Sequence, residues 1–291
     1  MTKLVFAVTV LALCSVSFAE TRSLKKINPQ QEEASAAAQE AVAQGTIPSP
    51  FATTACSFTF TSGTNNTYLK YCVTANGNIT QLETPLGHEH ILGGKGEFNT
   101  MGEGYGICNE SPATEYHDYA YNDSGNWNSA TILSLTSTSV KIARSTSDGI
   151  WTLTQTITQV AATSSIKIVM TLKNNTRTAR VAYLSRYADV DADSQSFNNL
   201  DATQNSAFAW NPSSPPALNQ FGLMLQNVGT SPFPYSEAFA QNTPYGPNAC
   251  AFAFNSPGGT LIGTDGSLVM AYVASIPAGG SKTATMSYKG L

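Results

Sequence analysis

Apolar and polar residues alternate along much of the chain beyond residue 56. The segment Ser57–Thr61 alternates, and segments 139–144, 150–158 and 166–173 do so over longer stretches. A period of two places successive side chains on opposite faces of a strand, so each segment is predicted to be a half-buried β-strand. Further strands are expected at 68–74, 78–82, 179–188, 267–275 and 283–288.

The long central strands are joined by short turns. Ser147–Gly149 and Asn174–Thr176 carry the Asn, Asp and Gly residues that turns favour. Consecutive strands with short turns form an antiparallel meander, which we expect from residue 139 to residue 188. Residues 194–265 are rich in Pro, Asn and Gly and are expected to form long loops with a few short strands. We therefore predict an all-β protein, a large antiparallel β-sandwich with long loops, over residues 51–291.

The first residues have the features of an export signal. Lys3 precedes a ten-residue apolar stretch, residues 4–13, and Ser17 and Ala19 offer small residues before a cleavage point. This order of a positive start, an apolar core and small residues is typical of a signal peptide, expected here over residues 1–19. A short buried helix is the alternative.

Two other features complete the N-terminal region. Lipid attachment at Cys14 is disfavoured, because Leu13 precedes it where such a site would have a small residue. Residues 20–50 are expected to form a linker, in which residues 30–44 could form a short helix before Pro48.

The composition excludes several classes of protein. Hydrophobic residues make up 42% of the chain and charged residues 12%, against about 25% charged in an ordinary domain. The chain can therefore build a core, and neither a charged disordered protein nor a coiled coil fits. The net charge is −4, whereas a protein that binds nucleic acid is expected to carry a basic surface, so nucleic-acid binding is not expected. No internal apolar run reaches the length of a membrane span, so none is expected after signal cleavage.

Four cysteines remain beyond the expected signal peptide: Cys56, Cys72, Cys108 and Cys250. An even number suits disulfides in an oxidising compartment, either a periplasm or the cell exterior. Cys56 and Cys72 flank a turn-like run on two predicted strands, which favours Cys56–Cys72 with Cys108–Cys250 as the long-range bond. A four-thiolate zinc site is the alternative, although no pair has the C-x2-C spacing.

Segments 146–156 and 186–193 resemble the β-supersandwich of galactose-mutarotase-like proteins and secreted bacterial proteins of unassigned function. The resemblance implies a supersandwich fold, with a sugar in an open cleft on the sheet, a His acid and a Glu base. Acidic residues stand here where those proteins have a His after the long strand, and no Glu occupies a matching late motif. The resemblance therefore implies the fold and does not carry the catalytic residues over.

An acidic run follows the third long central strand. Asp189, Asp191 and Asp193 stand at alternate positions, and a continued strand would place all three carboxylates on one face. Hard cations such as calcium bind several such oxygens and relieve the repulsion between them. The run fits a calcium site or a solvated turn about equally well, and a catalytic carboxylate cluster is the third interpretation. Further oxygen donors follow at Asn198, Asn199 and Asp201.

The three histidines are His88, His90 and His117. On an extended segment His88 and His90 share a face, and imidazoles at that spacing suit zinc or copper, with His117 or Asp118 as a third ligand. The alternatives are an exposed polar loop and acid–base work on a substrate, for which His117 and Asp118 are the candidates.

Aromatic residues concentrate near His117. We predict Tyr119, Tyr121 and Trp127 as ligand-binding residues, because sugar rings stack their C–H faces on aromatic side chains. Packing within the sandwich is the alternative.

Together these patterns predict a secreted or periplasmic protein that binds an extracellular glycan, with calcium as its ion. The first alternative is a carbohydrate-active isomerase, lyase or hydrolase that uses His117 or the carboxylates of residues 189–193. The second is a structural envelope or matrix protein.

Overall fold

The computed structural model describes residues 53–93, 102–212, 221–229, 233, 235–252 and 260–291. The expected signal peptide and linker lie outside these residues. No helix in the described ranges is long and apolar enough to cross a membrane.

Strands account for almost all of the regular structure that is described. In chain order they are β1 (Phe58–Ser62), β2 (Leu69–Val73), β3 (Ile79–Glu83), β4 (Glu89–Ile91), β5 (Glu103–Asn109), β6 (Thr114–Asp118), β7 (Thr131–Leu135), β8 (Ser139–Ser145), β9 (Trp151–Val160), β10 (Ser165–Asn174), β11 (Arg180–Asp189), β12 (Asn198–Thr203), β13 (Ser206–Trp210), β14 (Gly222–Asn227), β15 (Tyr235–Gln241), β16 (Leu261–Thr264), β17 (Ser267–Ile276) and β18 (Ser281–Gly290). The described residues also include three short 3-10 helices, at Asn65–Thr67, Ala161–Thr163 and Ala192–Ser194.

The strands form three antiparallel sheets. A four-stranded sheet has the order β1-β2-β3-β4, and a five-stranded sheet has the order β15-β17-β11-β5-β6. A nine-stranded sheet has the order β16-β12-β13-β14-β18-β10-β9-β8-β7. The prediction of an all-β antiparallel sandwich is therefore confirmed.

The alternating central segments are half-buried strands, as predicted. Along β9, buried side chains such as Trp151, Leu153 and Ile157 alternate with partly exposed threonines. The main core joins these inward side chains to those of the five-stranded sheet, including Ile107, Leu184 and other buried residues. One face of the nine-stranded sheet therefore lies in the core, and threonines line its other face.

The expected meander is correct only for β8, β9 and β10, which are consecutive neighbours. The next strand, β11, does not pair with β10; it pairs with β5 and β17 in the five-stranded sheet. The burial of its side chains explains the difference, because residues 182–189 of β11 are buried without alternation. A strand covered on both faces belongs inside a layered structure and cannot extend a sheet that has one wet face.

The region expected to be mainly loops contains more sheet than the sequence indicated. The described part of residues 194–265 contains five strands, β12 to β16. These strands are short, and the sequence between them is rich in Asn, Gly and Pro, so composition obscured their alternation.

The five-stranded sheet is covered on its second face as well. Four buried tyrosines, Tyr119, Tyr121, Tyr183 and Tyr187, form a separate cluster there with Phe252. The Cys108–Cys250 disulfide joins β5 to the segment that carries Phe252, and Cys56–Cys72 joins β2 to the chain before β1. Both bonds have the pairing that the sequence favoured.

A buried ion pair connects all three sheets. Arg186 on β11 donates to both carboxylate oxygens of Glu103 on β5, at 2.5 and 2.7 Å. The same guanidinium donates to Gln155 Oε1 on β9 and to the backbone oxygen of Gly77, before β3. The Tyr288 hydroxyl of β18 donates to Glu103. Arg186 and Glu103 are both fully buried, so each charge depends on the other and on these polar partners.

We predict that Arg186→Met destabilises the protein by about 3–5 kcal/mol, because Glu103 would then be a buried charge without its cation. Urea unfolding of both proteins measures the difference. The double variant Arg186→Met/Glu103→Gln is the control and should recover part of the loss, since it removes the unpaired charge. A single variant within about 1 kcal/mol of the parent would contradict this role.

Candidate functional site

Three carboxylates converge where β11 ends. Asp189 is the last residue of β11, Asp191 follows it, and Asp265 lies in the turn between β16 and β17. One oxygen from each carboxylate lies within 4.8 Å of the other two. The pairing of Asp189 with Ser267 across β11 and β17 explains how Asp265 reaches the group. We call these three residues the Asp cluster.

The Asp cluster is buried and incompletely partnered. Asp189 and Asp191 are 4% and 2% exposed, and the Oδ1 atom of each has no hydrogen-bond partner in the described part of the chain. Burial, with Asp265 adding to it, raises the pKa of Asp191 to about 7. Burial also raises the pKa of Asp189 well above its usual range, and its two neighbours add to the shift. An ion that offsets these charges would relieve both effects.

Asp193 does not join the Asp cluster. Its Oδ1 lies 2.7 Å from Nδ1 of His88, and its Oδ2 accepts from the Asn211 side chain at 3.1 Å. The strand ends at Asp189 and the chain enters a 3-10 turn, where Asp193 has a left-handed φ of 59°. Alternation therefore stops before Asp193, and the structure brings together two of the three carboxylates proposed from the sequence.

His90 has both ring nitrogens engaged. Its Nδ1 accepts from the Asp193 backbone N–H at 3.2 Å, so its Nε2 carries the hydrogen and donates to the Thr84 carbonyl at 2.7 Å. Burial lowers the pKa of His90 to about 4, which keeps the ring neutral. In this arrangement no nitrogen of His90 is left for the zinc or copper ion considered from the H-x-H spacing.

His88 lies closer to the surface than His90. Its ring stacks on Phe221, with 3.4 Å between the ring centroids, and its Nδ1 faces Asp193. His88 thus contacts the Asp193 side chain and His90 contacts its backbone N–H, and both contacts hold the segment after β11 against β4.

His117 and Asp118 lie on β6, and both are buried. Asp118 Oδ2 is 2.5 Å from Arg144 Nη1, and its other oxygen accepts from Asn78. Nδ1 of His117 is 3.4 Å from Glu115 Oε1. Burial, the largest influence, would lower the pKa of His117, but Glu115 and the aspartates nearby together raise it. Asp118 is thus held in an ion pair, while His117 is a buried, titratable group.

The three aromatic residues predicted to bind a ligand are packed inside. Tyr119, Tyr121 and Trp127 are at most 7% exposed. The Tyr119 hydroxyl donates to the Pro247 carbonyl, and the Gly246 N–H donates to the Tyr121 hydroxyl. A Cβ on Gly246 would lie 2.2 Å from the Tyr119 ring, so this segment covers the tyrosines closely. Ligand binding at these rings stays a prediction and would require the covering segment to move.

An exposed aromatic groove lies elsewhere, on the outer face of the nine-stranded sheet. Phe208 and Trp210 of β13 line it with Asp201 of β12 and the terminal Leu291, and its volume is about 430 Å³. Ala207 and Ala209 point into the core, which leaves the two rings on the outer face. Asp201 pairs with Phe208 across the two strands. This groove was not predicted from the sequence, although the alternation in Ser206–Trp210 could have indicated it.

Comparison with known proteins identifies the fold. No protein-family model and no curated protein matches the chain. A bacterial glucoamylase solved with acarbose is similar in structure, with 12% identity and a TM-score of 0.50, over 84% of this chain and 34% of that one. A polysaccharide lyase has a TM-score of 0.46 at 10% identity, over 79% of this chain and 33% of that one. The chain thus spans about a third of either protein, and the likeness concerns the fold alone.

Structures described as mutarotase-related are also similar. A putative aldose 1-epimerase from Escherichia coli K12 has 12% identity and a TM-score of 0.45, over 80% of this chain and 99% of that one. A galactose mutarotase-like protein from Lactobacillus casei has 10% identity and a TM-score of 0.46, over 80% of this chain and all of that one. The fold resemblance expected from the sequence is present among these structures.

We predict a pH-dependent contribution from His90. The unfolded chain binds a proton at this residue near pH 6.5, whereas the folded chain does so only near pH 4. Between these values the unfolded state holds more protons, so the contribution of His90 to stability falls as the pH falls, by up to about 3 kcal/mol.

The measurement is urea unfolding from pH 7.5 to pH 4 for the parent and for His90→Gln. The carboxyl groups of Asp189 and Asp191 titrate with the opposite sign in both proteins, so the difference between the two profiles isolates His90. Parallel profiles would show that His90 is not held neutral by burial.

Proposed function

We propose that the protein is an extracellular carbohydrate-binding protein and that the groove of Phe208, Trp210, Asp201 and Leu291 is its binding surface. The observation that supports the proposal is the pair of partly exposed rings beside a carboxylate on an open sheet face. Sugar rings offer an apolar C–H face to aromatic side chains, while their hydroxyl groups need polar partners. Phe208 and Trp210 supply the first requirement, and Asp201 supplies an acceptor for the second.

The surroundings of the groove suit a ligand longer than one sugar. Met224 of β14 pairs with Phe208, and Lys289 of β18 pairs with Met224, so the same face continues across the sheet. Beyond them, the hydroxyl groups of Thr171 and Thr283 meet on β10 and β18, 2.9 Å apart. An oligosaccharide lying across these strands would meet apolar and hydroxyl-bearing side chains in turn.

Secretion or a periplasmic location is part of the proposal. The two disulfides suit an oxidising compartment. The apolar residues 4–13 and the small residues after them suit export. Calcium, the ion expected from the sequence, is included as a structural ion.

A carbohydrate-active enzyme is the alternative, and the hydrogen bond between His88 and Asp193 favours it. A carboxylate at Nδ1 orients an imidazole so that Nε2 can accept or donate a proton. His88 is partly exposed, so a substrate could reach it. If the protein is an enzyme of this kind, it turns over a carbohydrate substrate and His88→Gln abolishes the activity. Trp210→Ala either raises the KM or changes neither kinetic constant.

We predict that Trp210→Ala and Phe208→Ala each weaken glycan binding about fivefold or more, because one aromatic stacking contact contributes about 1 kcal/mol. Isothermal titration with a panel of soluble neutral polysaccharides measures affinity for the parent and each variant. Phe197→Ala is the matched control, since Phe197 is a 64% exposed ring outside the groove. Its affinity should equal that of the parent.

Two results would argue against the groove as the glycan-binding surface. One is a glycan that binds the parent and both groove variants equally well. The other is that none of the glycans in the panel binds to the parent, although its circular dichroism spectrum shows that it is folded.

A further inference from the structure

The Asp cluster joins parts of the chain that are far apart in sequence. Asp189 and Asp191 close β11, whereas Asp265 belongs to the turn that connects β16 of the nine-stranded sheet to β17 of the five-stranded sheet. Their oxygens nevertheless converge within 4.8 Å. Three converging carboxylates repel one another unless protons or a cation offset their charge.

The unpartnered oxygens show where the offsetting group belongs. Oδ1 of Asp189 and Oδ1 of Asp191 are buried and accept no hydrogen bond in the described ranges. A buried carboxylate oxygen without a donor is costly, and a bound cation satisfies it directly. This observation is independent of the acidic composition, because exposed or hydrogen-bonded aspartates would not need a ligand.

The donor atoms select the kind of cation. Carboxylate oxygens suit hard cations such as calcium and magnesium, whereas zinc and copper favour nitrogen and sulfur. The group that converges contains three aspartates and neither His nor Cys. Calcium accepts six to eight oxygens in variable geometry, while magnesium demands a near-ideal octahedron. A strand end and a turn supply irregular positions, which suit calcium better.

We propose that Asp189, Asp191 and Asp265 bind one calcium ion, which ties the end of β11 to the β16–β17 turn. This ligand set differs from the one that the sequence suggested, because Asp265 takes the place of Asp193. None of its three residues lines the aromatic groove, so the site is independent of glycan binding. Water molecules would complete the coordination shell.

The test compares two substitutions of the same type. Calcium chloride is titrated calorimetrically into the EDTA-treated full chain, into Asp265→Asn and into Asp193→Asn. We expect Asp265→Asn to weaken calcium binding at least tenfold, because it removes one charged ligand. Asp193→Asn should retain the parent affinity within about twofold, because its carboxylate is turned toward His88. Magnesium and zinc chloride, titrated in parallel, should bind more weakly.

A second readout covers the case in which Asp265→Asn fails to fold. Terbium replaces calcium in oxygen sites and emits when a nearby tyrosine is excited. The Asp189 N–H donates to the Gly102 carbonyl at 2.9 Å, and a Cβ on Gly102 would lie 2.4 Å from the Tyr121 ring, so this ring lies close to the Asp cluster. The parent should show terbium emission that calcium displaces, and Asp191→Asn should reduce it at least tenfold.

Three results would overturn the proposal. The first is a parent protein that binds no calcium at millimolar concentration and shows no terbium emission. The second is loss of binding in Asp193→Asn with binding retained in Asp265→Asn, which would restore the ligand set suggested by the sequence. The third is tighter binding of zinc than of calcium.

Discussion

The ion pair between Arg186 and Glu103 is the constraint on which the arrangement of the sheets depends. It stands inside the main core and makes polar contacts with β9, β18 and the backbone before β3. A charged pair tolerates burial only with good geometry and satisfied neighbours, so each of those contacts fixes the position of one element. Because β11 carries Arg186 at one point and ends at Asp189, the same strand that joins the sheets also positions the Asp cluster.

Local pattern was sufficient to predict much of the fold. The alternation in residues 139–174 defined three neighbouring strands within a few residues of their observed limits. The sequence also located β11 as a strand but not its neighbours, because a strand buried on both faces has no alternation that assigns it to a sheet, and its partners, β5 and β17, come from distant parts of the chain. The cysteine pairing could be favoured from spacing because Cys56 and Cys72 lie near one another along the sequence.

The sites were less predictable, because they are made by contacts between distant segments. Asp189 and Asp191 were evident as an acidic run, but nothing near Asp265 in the sequence distinguishes it from a solvated turn residue. Only the β11–β17 pairing brings it to the cluster. The aromatic residues near His117 fitted two interpretations from the sequence, ligand binding and packing. Their density reflects a second packed layer over the five-stranded sheet, whereas the partly exposed rings of β13 stand in a segment that composition marked as loop.

The placement of the groove affects what kind of polymer the protein could engage. Phe208 and Trp210 lie on the outer face of the nine-stranded sheet, and among the described residues Asp201 and Leu291 line the groove beside them. A groove on the face of a sheet differs from a closed pocket, because a polysaccharide need not enter it by its terminus. Under the proposed function, it would contact interior sugar units of long or insoluble chains, and affinity would depend on the length of the chain rather than on the number of free ends.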